Sequence, residues 1–389
     1  MNGSAAVTPV TWQGWAAALA LIVALAFPAL VSADGQTYLI AGSSEALLAV
    51  VILIAAVLAS LVPARSEVAS LIIFAGAIIA GGWAIALLPA VAGLASSGMS
   101  MLAAATGFWG LVVLAWLMGW LLVTRLSAIR NVKPAADMLL RVAVPLIFGA
   151  ALLFLWEVLV RGFGVPFVIM PPPSAIWAKL ISSGPIIWAD FQQTFLKSVL
   201  AGYAIGCGSG FIAAILVDRV PFLRRGLLPI GNLVSALPIV GIAPIMVMWF
   251  GFDWQSKAAV VVAMTFFPML VNTLAGLAAS EAMERDLMHT YAANYWQSLV
   301  KLRLPAALPF IFNALKINST LAVIGAIVAE FFGTPVVGMG FRISTEVGRM
   351  NTDMVWAEIA VAALAGSAFY GVVALVERAS TFWHPSFRT

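Results

Sequence analysis

Long apolar runs recur along this sequence, and they restrict the chain to a membrane fold. A helix of about 20 apolar residues crosses the ~30 Å hydrocarbon layer of a bilayer. Only 9% of the residues are charged and 63% are hydrophobic, whereas a soluble domain has roughly 25% charged residues. We therefore predict an all-α, polytopic membrane protein with about ten transmembrane helices. The predicted spans are Gly14–Val31, Ala46–Val62, Ala69–Ala90, Met101–Val123, Val142–Val160, Phe195–Leu216, Leu227–Phe250, Ala258–Ala279, Pro305–Phe332 and Val355–Val376.

The first apolar run has one feature of a secretory signal peptide. Val31-Ser32-Ala33 has the small-residue pattern of a cleavage site. The residues that precede the run contain no Lys or Arg, although a signal peptide begins with a positive region. We therefore interpret Gly14–Val31 as a retained helix.

The positions of Lys and Arg predict the orientation in the membrane. If ten helices alternate, Arg125, Arg219, Arg285, Arg303 and Arg378 all fall on one side. Cytoplasmic loops are enriched in Lys and Arg, so this side is predicted to be cytoplasmic, together with both termini. The net charge of +4 is explained by these loops and does not indicate nucleic acid as a partner.

A polar seam at residues 126–141 predicts a boundary between two parts of the chain. It contains basic residues and a proline between apolar blocks. Residues 1–125 form an extra N-terminal region of four helices, with no charge predicted at membrane depth. Residues 142–389 form a six-helix part with polar residues at depth. We expect the function to lie in this second part.

The stretch at residues 280–304 differs from its apolar neighbours because it is charged and amphipathic. Its apolar side chains recur at helical spacing, for example at Met283, Leu287, Tyr291 and Tyr295. A helix of this composition cannot span a bilayer. We predict that it lies on the cytoplasmic surface and offers one face to a soluble partner.

This stretch resembles the coupling-helix loop in permease subunits of ABC importers of the type I fold. The family pattern is E-A-A, then a Gly four residues later, then I-x-L-P. Here the matching residues are Asp286-Leu287-Met288, Ala292 and Leu302-Arg303-Leu304-Pro305. Asp replaces Glu, both alanines are absent, and Ala replaces Gly.

Four further motifs occur in the order found in one branch of that family, the nitrate, sulfonate and taurine permeases. These are binding-protein-dependent transport inner-membrane components. The resemblance covers about 250 residues and implies a six-helix core at 142–389. The four leading helices have no usual counterpart, and we expect them to pack laterally, bind lipid or contact another subunit. The motifs are Met170–Ile176, Val234–Phe252, Phe266–Thr273, and Ala329-Glu330 with Gly338-Met339-Gly340. Within the first motif, Ser174 is predicted to cap a helix at Ala175–Ser183.

The resemblance implies a function and a set of partners. The chain would be the transmembrane subunit of an ATP-driven importer that forms the path for a small solute. The solute would be a nitrate-, sulfonate- or taurine-like anion, or a vitamin precursor such as a thiamine pyrimidine or riboflavin. The implied partners are two copies of an ABC ATPase, a second permease copy, an extracytoplasmic solute-binding protein and the bilayer.

The sequence gives no reason to expect an enzyme or a cofactor in this chain. It contains no GxxxxGK[ST] loop, so ATP and Mg²⁺ are expected on the separate ATPase. The two histidines, His289 and His384, lie outside the apolar spans, which argues against a metal or nucleophile site in the membrane. The alternative is an ion-gradient-driven secondary transporter, which would need protonatable groups in repeat-related broken helices. We find no such repeat.

Three sets of residues are predicted to carry the function. Polar residues at membrane depth are costly and therefore face the bundle interior or water. Lys316 is either a cation that faces the path or a buried partner of Asn313 or a backbone carbonyl. Glu330 and Glu358 are predicted to pair with Arg342 or Arg349, as a gate or as structural pairs. The coupling set is Arg285, Asp286, Tyr291, Ala292, Tyr295 and Trp296, and the path set is Asn232, Ser235, Phe266, Phe267, Asn272, Asn313, Lys316 and Thr320.

Overall fold

The computed structural model describes residues 12–31, 37–38, 44–61, 67–96, 106–127, 134–235, 238–333 and 336–382. The chain forms two compact units, Met1–Ala175 and Ile176–Thr389. The predicted boundary at 126–141 does not coincide with the division between these two units. That boundary marks where the six-helix core is predicted to begin, and it stays a prediction.

The described residues of the first unit are helical apart from one short strand pair and the turns that connect the elements. Leu30 pairs with Tyr38 and Val31 with Thr37 in an antiparallel arrangement. The elements are α1 (Trp12–Ala26), β1 (Leu30–Val31), β2 (Thr37–Tyr38), α2 (Ser44–Leu61), α3 (Glu67–Ser96), α4 (Thr106–Ser127) and α5 (Pro134–Gly162).

Small residues allow the helices of the first unit to approach closely. The buried face of α1 contains Ala17, Ala20 and Ala24. On α4, a Cβ added at Gly110 would lie 2.8 Å from the backbone nitrogen of Ala24. Helices in lipid associate through such van der Waals contacts, because burying apolar surface gains little there. Small residues therefore allow α1 and α4 to approach closely, while larger side chains such as Leu53 and Leu114 fill the rest of this core.

Arg125 lies near the end of α4, and its side chain is buried rather than free in a loop. Its Nη2 donates to the carbonyl oxygens of Ala59 and Ser60 at 3.2 Å each. The last carbonyls of a helix lack intrahelical partners and form the negative end of its dipole. Arg125 thus joins α4 to the C-terminal end of α2.

Glu157 and Arg161 form an ion pair one helical turn apart on α5, with 2.5 Å between Arg161 Nε and Glu157 Oε1. The predicted capping role of Ser174 is wrong. The next helix begins at Pro173, and Ser174 donates its backbone N–H and its hydroxyl to the Glu157 carboxylate at 2.9 and 2.7 Å. A carboxylate at a helix N-terminus satisfies the free N–H groups and the dipole better than a hydroxyl does.

The second unit contains the longest run of described helices. Two of its segments are π-helices, named π1 and π2 here. The elements from Pro173 onward are α6 (Pro173–Ser182), α7 (Gly184–Phe191), π1 (Gln192–Val199), α8 (Leu200–Arg219), α9 (Pro221–Ser235), α10 (Ile239–Phe250), α11 (Trp254–Ala278), α12 (Ala282–Thr290), α13 (Tyr295–Ser298), π2 (Leu299–Arg303), α14 (Leu304–Glu330), α15 (Met339–Gly348) and α16 (Thr352–Ser380).

Helix α11 is at the centre of the second unit and packs against α8 and α14. Gly202, Gly206 and Gly210 on α8 bring this helix into close contact with α11. A Cβ at Gly206 would lie 2.0 Å from the hydroxyl of Thr265, and one at Gly210 would lie 2.5 Å from the Phe266 carbonyl oxygen. Any larger side chain at these positions would push α8 away from α11.

The all-α membrane fold is confirmed, but the number of ten spans is not. Three shorter apolar helices occupy the other predicted spans, at Trp12–Ala26, Leu47–Leu61 and Ile239–Phe250. Seven described helices are long and apolar enough to cross a membrane: Ala69–Pro89, Thr106–Ser127, Leu140–Gly162, Gly184–Arg219, Trp254–Ala278, Tyr295–Glu330 and Thr352–Ser380.

The predicted span Leu227–Phe250 is not one continuous helix. Helix α9 ends at Ser235, and α10 begins at Ile239 after Pro238, which has extended backbone angles. Proline lacks an N–H group and disfavours helical geometry in the residue before it. The apolar run is therefore divided at this proline.

Candidate functional site

The stretch predicted as one amphipathic helix at 280–304 is two helices with a sharp turn between them. Helix α12 ends at Thr290, and Ala292 has a φ of +52°. The Ala292 N–H donates to the His289 carbonyl at 2.9 Å, and that of Ala293 donates to the Met288 carbonyl at 3.0 Å. These two bonds form a Schellman C-cap, which needs a left-handed residue at this place. The family motif has Gly here, and an L-residue adopts the conformation at a cost of about 1–2 kcal/mol.

The coupling loop, residues 280–304, exposes its apolar side chains. No residue of α12 is buried. Met283 and Tyr291 are 80% and 77% exposed, and Leu287, Trp296 and Val300 are also exposed. Exposed apolar side chains that cluster on one loop mark an interaction surface.

Two predicted coupling residues at the start of the loop differ in their surroundings. Arg285 is half-buried and donates to the backbone carbonyl and the hydroxyl of Ser280. Asp286 is exposed. Arg285 therefore holds the entry of the loop in place, while Asp286 lies on its outer surface.

Tyr295 points into the protein and not outward. Its hydroxyl donates to Asp218 Oδ2 at 2.9 Å. Arg303 binds the same carboxylate through both terminal nitrogens, at 2.8 and 2.7 Å. The Arg219 guanidinium lies over the Tyr295 ring, 4.8 Å from its centroid. We call Asp218, Arg219, Tyr295 and Arg303 the Asp218 cluster.

The Asp218 cluster connects the coupling loop to three long helices. Asp218 and Arg219 end α8, and Arg303 immediately precedes α14. Arg303 Nε also donates to the carbonyl of Leu277 near the end of α11, at 3.1 Å. Sequence reasoning missed Asp218, although an acid beside an arginine at the end of an apolar span was a visible signal. A displacement of the loop would act on all three helices through this one carboxylate.

A second polar cluster lies at the other end of α14, about 40 Å from the loop by helix rise. Glu330 accepts hydrogen bonds from the Thr194 hydroxyl at 2.8 Å and the Gly340 N–H at 2.7 Å. Asp190 is fully buried. It accepts from the Gly338 N–H at 2.7 Å and from Arg342 Nε at 2.8 Å.

Two glycines allow the backbone to approach these carboxylates. A Cβ at Gly338, where φ is +146°, would lie 2.9 Å from the Glu330 carboxylate. One at Gly340 would lie 2.2 Å from the Ile327 carbonyl oxygen. The A-E…G-x-G motif is therefore explained by close packing, since only glycine fits both positions.

The predicted ion pairs of Glu330 and Glu358 are not the ones that form. Arg342 binds Asp190, and Arg349 contacts Glu346 at 3.1 Å. The Asp190 hydrogen bond, with smaller contributions from Glu358 and Glu346, raises the pKa of Arg342. Asp190 and Thr194 lie on α7 and π1, distant in sequence from α14 and α15. Sequence analysis did not select them, although an acid beside a long apolar run was a usable signal.

With both ends of the bundle described, the relatives of the chain place it in a family. The model of the family described as "Binding-protein-dependent transport system inner membrane component" matches residues 206–381. A probable ABC transporter permease protein of Haemophilus influenzae is 32% identical over 224 residues, which are 58% of this chain and 91% of that protein. The chain belongs to this family. It is a multi-pass transport permease and not an enzyme.

Two further relatives carry names that state a solute. The formylaminopyrimidine transport permease protein ThiX of Halalkalibacterium halodurans is 30% identical over 239 residues, 61% of this chain and 95% of that protein. The riboflavin transport system permease protein RibX of Chloroflexus aurantiacus is 29% identical over 238 residues, 60% and 88% of the two chains. ABC permeases work with an ATPase and a solute-binding protein, so the family implies both as partners of this permease.

The permease holds several of the predicted path residues in contacts within the chain. Phe266 and Phe267 meet edge to face with centroids 4.9 Å apart, and Phe266 packs against a buried cluster that includes Leu270. Asn272 donates its side-chain amide to the Pro268 carbonyl at 2.8 Å. Asn232 and Ser235 lie on α9, and their side chains are outside the described part of the structure.

Asn313 and Thr320 are exposed on α14, and Lys316 between them is partly buried. Lys316 Nζ bonds to Glu377 Oε2 of α16 at 2.7 Å. The predicted partners of a buried Lys316, Asn313 or a backbone carbonyl, are therefore not the ones found. Because Glu377 neutralises the ammonium, the pair favours a structural role for Lys316 over attraction of an anionic solute.

Asn318 makes a polar contact between helices. Its side-chain amide donates to the Thr265 carbonyl at 2.8 Å and to Cys207 Sγ at 3.2 Å. Both Asn318 and Cys207 are buried. This polar contact links α14 to α11 and α8, where small residues already bring the helices together.

The Lys316–Glu377 pair leads to a prediction about stability. Lys316→Met will destabilise the permease by about 3 kcal/mol, because it leaves the Glu377 carboxylate uncompensated in a mostly buried site. The double variant Lys316→Met/Glu377→Gln should recover most of this loss. Thermal unfolding of the purified permease in detergent measures both. Equal stability losses in the single and double variants would contradict the structural role of the pair.

Proposed function

We propose that this permease is the transmembrane subunit of an ATP-driven importer for a small solute. Two copies pair about a two-fold axis, and each binds one ATPase subunit through its coupling loop. An extracytoplasmic binding protein delivers the solute to the opposite face. ATP and Mg²⁺ bind the ATPase, and both termini of the permease lie in the cytoplasm.

The observation that carries this proposal is the coupling loop with its exposed apolar face and its internal anchor. Tyr291 and Trp296 face outward and are the aromatic side chains available to a groove on the ATPase. Buried aromatic residues tend to dominate the binding energy of such interfaces. Tyr295 and Arg303 are held by Asp218, so a force on the loop reaches the ends of α8, α11 and α14.

The same contacts support a mechanism of alternating access. ATP binding brings the two ATPase subunits together and draws the two coupling loops toward each other. Because α14 runs from the Asp218 cluster to Glu330, its displacement also acts on the Glu330 and Asp190 contacts at the opposite end. The exposed Asn313 and Thr320 on α14 are proposed to line the path between the two copies.

The solute is proposed from the relatives. The names of two of them state formylaminopyrimidine and riboflavin, and the sequence at 301–340 resembles permeases of that kind. The neutralised Lys316 favours this group over a bare anion, because it leaves no free cation at that place on the path. The family assignment supports an ATP-driven importer and gives no support to an ion-gradient-driven transporter.

Site-directed labelling tests the proposal, and the chain is well suited to it because its single Cys207 is buried. A Met283→Cys variant carries one reactive exposed thiol on the loop, and a Val336→Cys variant carries one at the opposite end. A membrane-impermeant maleimide should label position 283 only in inverted vesicles and position 336 only in intact spheroplasts. Addition of the ATPase subunit should protect position 283 alone. Labelling of position 283 from outside, or no protection by the ATPase, would overturn the proposal.

A further inference from the structure

A cavity of about 730 Å³ with polar and charged side chains in its lining lies in the second unit, at the end opposite the coupling loop. It is separate from the Lys316 and Asn313 region and was not selected by sequence analysis. Small-molecule sites in proteins usually have volumes of about 300–1,000 Å³. The side chains that line it and matter for the argument are Gln192, Gln193, Lys197, Phe252, Asp253 and Val337.

Hydrogen bonds fix the polar wall of the cavity. Lys197 Nζ donates to Gln193 Oε1 at 2.9 Å, and Gln193 Nε2 donates to Asp253 Oδ1 at 2.9 Å. The amide of Gln193 is therefore held between a cation and an anion. Asp253 also accepts from the Trp254 N–H at 2.8 Å. This bond, followed by that from Gln193, lowers the pKa of Asp253, so the carboxylate stays ionised at neutral pH.

The π-helical geometry of π1 places these groups. Segments of π-helix are rare in proteins, and those that occur often lie at functional sites. In π1, Thr194 bonds to Glu330 while Gln192, Gln193 and Lys197 line the cavity. The same segment thus joins the cavity to the Glu330 contacts that end α14.

Phe252 also lines the cavity and presents an aromatic ring on a fixed backbone. Phe252 is 66% exposed, so its ring is available for stacking. The buried Lys257 donates to the carbonyl oxygens of Phe252 and Gly333. A Cβ at Gly333, where φ is +147°, would lie 2.9 Å from Phe252 Cδ1. Only glycine at 333 therefore leaves room for the ring in this position.

The chemistry of the lining selects one class of ligand. Lys197 and Asp253 carry opposite charges, so their charges cancel and a bare anion gains no net attraction. The amides of Gln192 and Gln193 each offer a donor and an acceptor, and Phe252 offers a flat apolar face. We propose that this cavity binds an uncharged, planar nitrogen heterocycle that has neighbouring hydrogen-bond donors and acceptors. The inference rests on the proposed import function, because it identifies the solute class that the importer receives.

Direct binding to the full-length permease in lipid nanodiscs, without binding protein, tests the inference. The probes are formylaminopyrimidine and riboflavin as heterocycles, with taurine, a zwitterion without an aromatic ring, as the comparison. Calorimetry should show at least one heterocycle binding at least tenfold more tightly than taurine. Gln192→Leu should weaken that binding by about tenfold, since it leaves a polar group of the ligand unpaired. Lys197→Met should weaken it by a similar factor, since it releases the Gln193 amide from its fixed position.

Gln255→Leu is the matched control, because Gln255 is also an exposed glutamine close in sequence to this wall but does not line the cavity. Its binding should equal that of the wild type. Tighter binding of taurine, no binding of either heterocycle, or wild-type affinity in the Gln192 and Lys197 variants would overturn the inference. The labelling of Met283→Cys is an independent readout. If the ATPase does not protect position 283 but the heterocycle still binds, the proposed function is wrong and the ligand assignment of the cavity stands. If the ATPase protects position 283 but no heterocycle binds, only the ligand assignment of the cavity is wrong.

Discussion

Alanine at both Tyr291 and Trp296 will release the ATPase from the permease and abolish transport. Both side chains are largely exposed in the isolated chain, so the double variant should fold normally. Aromatic residues at the centre of an interface contribute about 2 kcal/mol or more each. Loss of two such contacts, about 4 kcal/mol, weakens binding by about a thousandfold. The dissociation constant for the purified ATPase, with the permease in nanodiscs, measures the effect.

Trp188→Ala is the control for this prediction. Trp188 and Trp296 have the same exposure, 55%, but Trp188 lies on α7 at the other end of the bundle. Its replacement should leave ATPase affinity unchanged. If the double variant at 291 and 296 retains wild-type affinity and transport, the coupling loop does not bind through its exposed aromatic face.

Breaking the Asp218 cluster will both destabilise the permease and uncouple it. Asp218 and Arg303 side chains are 11% and 17% exposed. Asp218→Ala leaves the Arg303 guanidinium without its bidentate partner, which costs about 3–5 kcal/mol for a buried pair. ATPase binding should persist because the outer face of the loop is intact. Solute-stimulated ATP hydrolysis and uptake into proteoliposomes should fall to near the background level.

The double variant Asp218→Ala/Arg303→Met separates the two effects. Because it removes both charges, its thermal stability should return close to that of the wild type, whereas transport stays lost. Tyr295→Phe removes only one hydroxyl donor and should cost about 1 kcal/mol. Normal transport in the stable double variant would show that the cluster supports the fold but does not transmit motion.

Sequence alone accounts for the membrane fold, most of the spans and the family of this protein. The apolar runs are a local property, and a stretch of about 20 such residues has few alternatives to a helix across the bilayer. The same holds for the Glu157–Arg161 pair, which lies one helical turn apart. The exposure of Ala282–Thr290 in the coupling loop also follows from the sequence, because a charged amphipathic stretch between two apolar spans must lie at the surface.

The turn inside the coupling loop and the division at Pro238 show where sequence patterns were insufficient. Helical periodicity continues from Met283 to Tyr295, yet the helix stops at Thr290. The Ala at position 292 gave little warning, since an alanine favours continuing a helix. The prediction treated Tyr295 as an outward anchor for this reason, whereas the turn directs it toward Asp218.

Tertiary structure alone decided which groups neutralise one another. Lys316 and Glu377 are 61 residues apart, Arg303 and Asp218 are 85 apart, and Arg342 and Asp190 are 152 apart. Sequence analysis selected Lys316 and Arg342 but assigned both to other partners. It did not select Glu377, Asp218 or Asp190. Helix packing determines which faces meet, and here glycine contacts such as Gly206 against Thr265 determine the packing. The partner of a residue across such a contact depends on how the two helices pack against each other. The sequence of either helix alone does not specify that packing.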